Sequence, residues 1–168
     1  MITLPIYLFI LIELIFVAWG DFKTRKISNY WSILNILCFP ILVLLLPTVY
    51  VLDPNVFIYS AVFLLIGFLL FLIKVMGGGD GKFLATFILL VPISLQPKVL
   101  NLLLMSTILV ASIFLIKNTT LNFSKIVRSL KDYDFITVKS FFGSKFAFAP
   151  VILMAWILLG WDLKEILF

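Results

Sequence analysis

An all-α membrane protein with six transmembrane helices is the fold this 168-residue chain predicts. Hydrophobic residues make up 64% of it and charged residues 12%, a balance that a water-soluble domain could hold only by exposing large apolar patches. Apolar runs of membrane-spanning length recur along the whole chain. The cations gather at the ends of those runs, where they set orientation in a bilayer. Residues 1–168 read as one integral-membrane domain, because the longest polar stretch, 118–145, is too short and simple to fold alone.

The first span is drawn at residues 2–19. No basic residue precedes it and the first cations follow it, so it reads as a transmembrane helix and not as a cleavable signal. The polar loop GDFKTRKISN leads to the second span, 30–49, which contains Pro40 and Pro47. Asp53-Pro54-Asn55 marks a turn, and the third span follows at 56–76. Gly77-Gly78-Gly79-Asp80-Gly81-Lys82 forms a glycine loop before a short fourth span, 83–95, bent at its end by Pro92. Gln96-Pro97-Lys98 makes a tight connection to the fifth span, 99–116. Within 118–145, Phe123, Ile126, Val127 and Leu130 share one face while Lys125, Arg128 and Lys131 lie elsewhere. That pattern predicts a short amphipathic helix on the membrane surface. The sixth span is 146–161. Gly67 has no glycine four residues away, so no GxxxG packing motif is expected.

All Lys and Arg residues except Lys98 and Lys164 fall on one face of this topology, which places that face in the cytoplasm and both termini outside. Their clustering at span ends, with no extended basic stripe, argues against nucleic acid despite the net charge of +5. Cys38 is the single cysteine and histidine is absent. Internal disulfides, Cys-rich zinc sites, Ser-His and Cys-His nucleophile pairs and HExxH metal sites are thereby excluded. Hydrolytic chemistry would have to rest on carboxylates, lysine or hydroxyls.

Acidic groups at membrane depth are costly and mark cavities or chemistry. Asp53, Asp132, Asp134, Asp162 and Glu165 fall in turns or polar ends, leaving Glu13, Asp21 and Asp80. Asp21 follows span one and Asp80 follows span three. The chain crosses and returns between them, so both carboxylates are expected on the cytoplasmic side at similar depth. Glycines around Asp80 permit positive φ and close backbone approach, suited to holding an extended substrate segment. The plainer alternatives are a flexible turn with Asp80 capping the next helix, and a charge-balanced loop around Asp21. Brought together, two carboxyls share a proton, so that one can serve as base on a water while the other donates to a carbonyl. Lys82 either biases that pair or snorkels to the interface, and snorkelling is favoured. Glu13 lies about 12 Å deeper along the first helix and is not expected to be catalytic.

At these residues the chain resembles the type IV prepilin and preflagellin peptidases, a branch of the GxGD intramembrane aspartyl proteases. Gly77-Gly78-Gly79-Asp80 matches GxGD, with Lys82 after it. Asp21 matches the upstream acid, followed by Arg25-Lys26-Ile27-Ser28-Asn29, where Ser28 replaces the family's usual proline. Lys145-Phe146-Ala147-Phe148-Ala149-Pro150 resembles the start of the family's last helix. The resemblance implies catalysis by Asp21 and Asp80, with Gly77, Gly78, Gly79, Gly81 and Lys82 supporting the loop or the substrate. It also implies a multi-pass protein of the cell (inner, cytoplasmic) membrane and a substrate of pilin-like precursors. Their short basic leader is cut on the cytoplasmic side, just before an apolar helix. Larger members carry a cysteine-bearing insertion and methylate the new N-terminus. With one cysteine and no such insertion, this chain is expected to need no metal or other cofactor and to lack methyltransferase activity.

Lipoprotein signal peptidases and presenilin-like proteases fit less well, for want of their motifs. From a different class, a small carboxylate-dependent transporter or proton channel would need acids deeper in the bilayer along a continuous polar path, and Glu13 is the one deep candidate. A purely structural assembly protein leaves the glycines around Asp80 without a reason.

Overall fold

A computed structural model describes residues 2–72, 76–131 and 148–164. Among them the chain forms six helices and no strands: α1 (Leu4–Thr24), α2 (Asn29–Leu45), α3 (Val56–Leu72), α4 (Gly78–Leu89), α5 (Gln96–Lys131) and α6 (Ala149–Asp162). The punctuation is local chemistry. Pro5 opens α1 within its first turn, and Arg25 closes it in the left-handed conformation, φ 55°. Ser28 caps α2 by accepting the Tyr30 N–H at 3.3 Å, a bond that a proline there could not supply. Asp53 accepts the Asn55 N–H at 2.7 Å, making the turn that launches α3.

Exposure runs opposite to that of a water-soluble protein. Phe16, Leu44, Leu65, Met105 and Ile108 are exposed, whereas Glu13, Asp21, Ser32, Asn35, Asp80, Gln96 and Ser106 are buried. The interior is an apolar core, with Leu14, Phe83, Phe87 and Trp156 among it, that also holds these polar groups, and an apolar exterior of this extent suits lipid. By length and composition, α1 and the Gln96–Phe123 part of α5 can each cross a membrane. The remaining helices are shorter than the six expected spans. α2 and α3 have 17 residues each and α6 has 14, against ~20 for a bilayer core.

α4 is short, as expected, but lies nearer the N-terminus than the expected 83–95. It has only 12 residues, starts within the glycines and ends before Pro92. Nearly all of it is buried, from Phe83 through Val91, with Lys82 exposed. It packs against α3 and α2, while α6 packs against α1 and α5. Trp156 of α6 joins the two groups, stacked on Tyr7 of α1 at 5.4 Å and edge-on to Phe87 of α4 at 5.7 Å. Tyr7 and Trp156 also exchange hydrogen bonds, hydroxyl to Trp156 carbonyl at 3.3 Å and indole N–H to Tyr7 carbonyl at 3.2 Å. Gly160 leaves room for the Tyr7 hydroxyl.

Gln96-Pro97-Lys98 is the first turn of α5 and no separate connection. The fully buried Gln96 amide donates to the carbonyls of Ile88 and Val91, both at 3.2 Å, closing the end of α4. Replacing it by leucine strands the buried Val91 carbonyl, at about 1–3 kcal/mol for an unsatisfied group, while the Ile88 carbonyl keeps the Val91 N–H at 3.2 Å. Gln96→Leu is therefore expected to lower stability by about 2 kcal/mol, read by thermal unfolding in detergent. The surface helix expected around Phe123–Leu130 is likewise continuous with α5 as far as Lys131, because no Pro or Gly interrupts 99–131. The rest of that connection, 132–147, lies outside the described residues.

Candidate active site

Asp21 lies in the last turn of α1, not in a loop after it. No proline lies between Trp19 and Thr24, and the Thr24 hydroxyl ties the end down, lying 3.0 Å from the carbonyls of both Gly20 and Lys26. The inward face of α1 carries Ile10, Leu14, Val17 and Asp21, so the carboxyl points into the bundle with only 2% exposure. Its Oδ2 accepts the backbone N–H of Ala149 at 2.9 Å. Phe148, at the N-cap of α6, offers no side-chain acceptor. Asp21 fills that role from another helix, satisfying one of the N–H groups that every helix start leaves open. The Phe148-Ala149-Pro150 sequence thus acquires a structural reason that its composition does not disclose.

Asp80 is the third residue of α4 and is 5% exposed. Gly77, not Asp80, is the N-cap. Asp80 Oδ2 reaches back to accept the Gly77 N–H at 3.1 Å, while the Asp80 N–H donates to the Gly77 carbonyl, also at 3.1 Å. That carboxyl contact is the N3 half of a capping box. Gly78, Gly79, Gly81 and Lys82 are helical, and no described glycine has positive φ. Close approach, not backbone freedom, explains Gly79 and Gly81. A Cβ on Gly79 would collide with the Ile27 carbonyl oxygen, and one on Gly81 would come within 2.9 Å of the Gly67 Cα. Gly67, which has no glycine partner on its own helix, instead meets Gly81 across the α3–α4 crossing. A Cβ on Gly78 would make only ordinary contact, 3.5 Å from the Phe71 ring.

These contacts bring the two predicted acids to one end of the bundle. The connection that follows Asp21 touches α4 at Gly79, the residue before Asp80. Two helix N-termini, those of α4 and α6, each donate a backbone N–H to one of the carboxyls. Lys82 is exposed, in keeping with a lysine that snorkels. Glu13, at 4% exposure, shares the inward face of α1 with Asp21, but Leu14 and Val17 intervene and are apolar. Its carboxyl instead faces Asn35 of α2. Ala149 meets Asp21, Ile27 meets Gly79 and Gly67 meets Gly81 through backbone atoms, which no side-chain motif could reveal. Among the described residues no three His, Cys, Asp or Glu side chains gather as metal ligands would.

Searches of curated proteins and of solved structures each returned no match. The model of the type IV leader peptidase family matches residues 8–116. That match covers more than half of the chain and includes both Asp21 and Asp80, together with the glycines and the Ile27 turn that pack between them. The all-helical bundle and its apolar exterior suit a membrane protein, and this match makes the chain a member of the type IV leader peptidase family.

Proposed function

We propose that this chain is an aspartic endopeptidase that removes the basic leader from type IV pilin-like precursors, with Asp21 and Asp80 as its catalytic pair. The observation that carries the reading is the burial of both acids at one end of the bundle, each held through Oδ2 by a backbone N–H. One carboxylate takes a proton from a water whose oxygen attacks the scissile carbonyl carbon. The other, in its acid form, donates to the carbonyl oxygen as the tetrahedral intermediate forms. On collapse the C–N bond breaks, the carbonyl re-forms and the departing amine takes a proton from the pair. The pair titrates as a unit, so the roles of base and acid belong to both residues together. Gly77, Gly78, Gly79, Gly81 and Lys82 support Asp80 by shaping the first turn of α4.

In this reading all six helices cross the cell membrane, both termini lie outside and cleavage occurs at the cytoplasmic face. Trp19 with Lys23 (4.6 Å) and Trp161 with Lys164 (5.3 Å) put an aromatic and a cation at opposite ends of the bundle, as at two membrane interfaces. The shorter helices are accommodated by local thinning or snorkelling flanks. No cofactor is required, and methylation of the new N-terminus is not part of the activity.

The test uses the purified full chain in detergent with a precursor bearing a short basic leader and an apolar helix. Mass spectrometry should find one cleaved bond, just ahead of the apolar helix, and a metal chelator should leave the rate unchanged. An intact precursor in a folded preparation, or a rate that collapses with chelator, would refute the assignment.

A further inference from the structure

Glu13, Ser32 and Asn35 form a second buried polar group, between α1 and α2 and two helical turns deeper than Asp21. Glu13 is 4% exposed, Ser32 6% and Asn35 0%. Both carboxyl oxygens of Glu13, both amide atoms of Asn35 and the Ser32 hydroxyl are without a hydrogen-bond partner. Asn35 faces the Glu13 carboxyl, and Cys38, on the same helix, also lies near it. Neither neighbour can supply positive charge.

The hydrogen-bond inventory narrows what this group can be. A carboxylate only accepts, so it could engage the Asn35 NH2 but would leave the Asn35 carbonyl oxygen facing like charge. A bound cation would engage the oxygens and leave that NH2 stranded. A neutral carboxylic acid both donates and accepts. Set against a carboxamide turned to suit, its O–H serves Asn35 Oδ1 and its carbonyl serves Nδ2–H, and all four atoms are satisfied at once. Buried polar groups in a low-dielectric interior are costly until each has its partner.

We propose that Glu13 is a positioning residue, held as a neutral acid and paired with Asn35 in an acid–amide lock that fixes α1, and with it Asp21, against α2. Ser32 lies one turn before Asn35 on α2. The proposal is independent of the peptidase assignment, since its main readouts do not involve cleavage.

Glutamine keeps the shape and both hydrogen-bonding functions of the acid, so Glu13→Gln should unfold at the wild-type temperature in detergent and keep activity within about 2-fold. Glu13→Leu and Asn35→Leu each orphan a partner and should lower the unfolding temperature, whereas the double leucine variant should recover much of that loss. The infrared spectrum of the full-length protein at neutral pH should contain a protonated-carboxyl C=O band that Glu13→Gln removes. Absence of that band change would overturn the proposal. So would a Glu13→Gln variant with clearly lowered unfolding temperature, or a folded one with activity reduced more than about 10-fold.

Discussion

Asp21→Asn and Asp80→Asn are each expected to abolish precursor processing, with losses of at least about 1,000-fold. Asparagine keeps the oxygen that accepts the Ala149 or Gly77 N–H, so both helix starts stay capped and the bundle should assemble at normal yield. What disappears is a group that can hold or release the shared proton, without which no water is activated. Because the two carboxyls act as one unit, the double variant should be no slower than either single one, within about 3-fold. The measurement is single-turnover cleavage of a purified precursor, with thermal unfolding recorded in parallel. A folded single variant retaining more than about a tenth of wild-type activity would remove that aspartate from the mechanism.

Gly79→Ala is expected to have the next largest effect, and two opposing terms set its size. Alanine in a helix gains about 0.5–1 kcal/mol over glycine. Here, however, the new Cβ meets the Ile27 carbonyl oxygen, a backbone atom that cannot swing aside. Overpacking of this kind costs about 1–3 kcal/mol or more, so the net effect is destabilising by about 1–2 kcal/mol. The same shift displaces Asp80 relative to the turn that follows Asp21. Since a displacement of about 1 Å near reacting groups can cost about 100-fold, processing should fall by at least about 10-fold. Gly20→Ala is the matched control. Gly20 is also helical, but a Cβ there meets nothing within 4 Å, so that variant should gain about 0.5–1 kcal/mol and keep full activity. Equal behaviour of the two variants in unfolding and cleavage assays would show that the Gly79–Ile27 contact does not position Asp80.

The character of the fold was legible because it depends on composition and order. Long apolar runs and punctuation such as Asp53-Pro54-Asn55 pointed to an all-helical membrane bundle, and the elements appear in the expected sequence. Their ends were less legible. Asp21 and the glycines were expected in loops, yet Asp21, Gly78, Gly79 and Gly81 lie within helices, because neither stretch contains a proline and surrounding contacts compensate the low helix propensity of glycine. α4 shows the same limit. Its shortness was legible from Pro92, but its start was not, since Gly79 and Gly81 are set by close contact with Ile27 and Gly67.

The sequence by itself determined which acids are available for chemistry: it contains no histidine and one cysteine, and it places Asp21 and Asp80 after the first and third apolar runs. Only the tertiary structure decided how each acid is held. The decisive partners are backbone atoms, the Ala149 and Gly77 N–H groups, the Ile27 carbonyl and the Gly67 Cα. Every residue carries such atoms, so their identity leaves no trace in the sequence. The role of Glu13 divides the same way, since a buried acid can be suspected from one helix but its Asn35 partner is supplied by another.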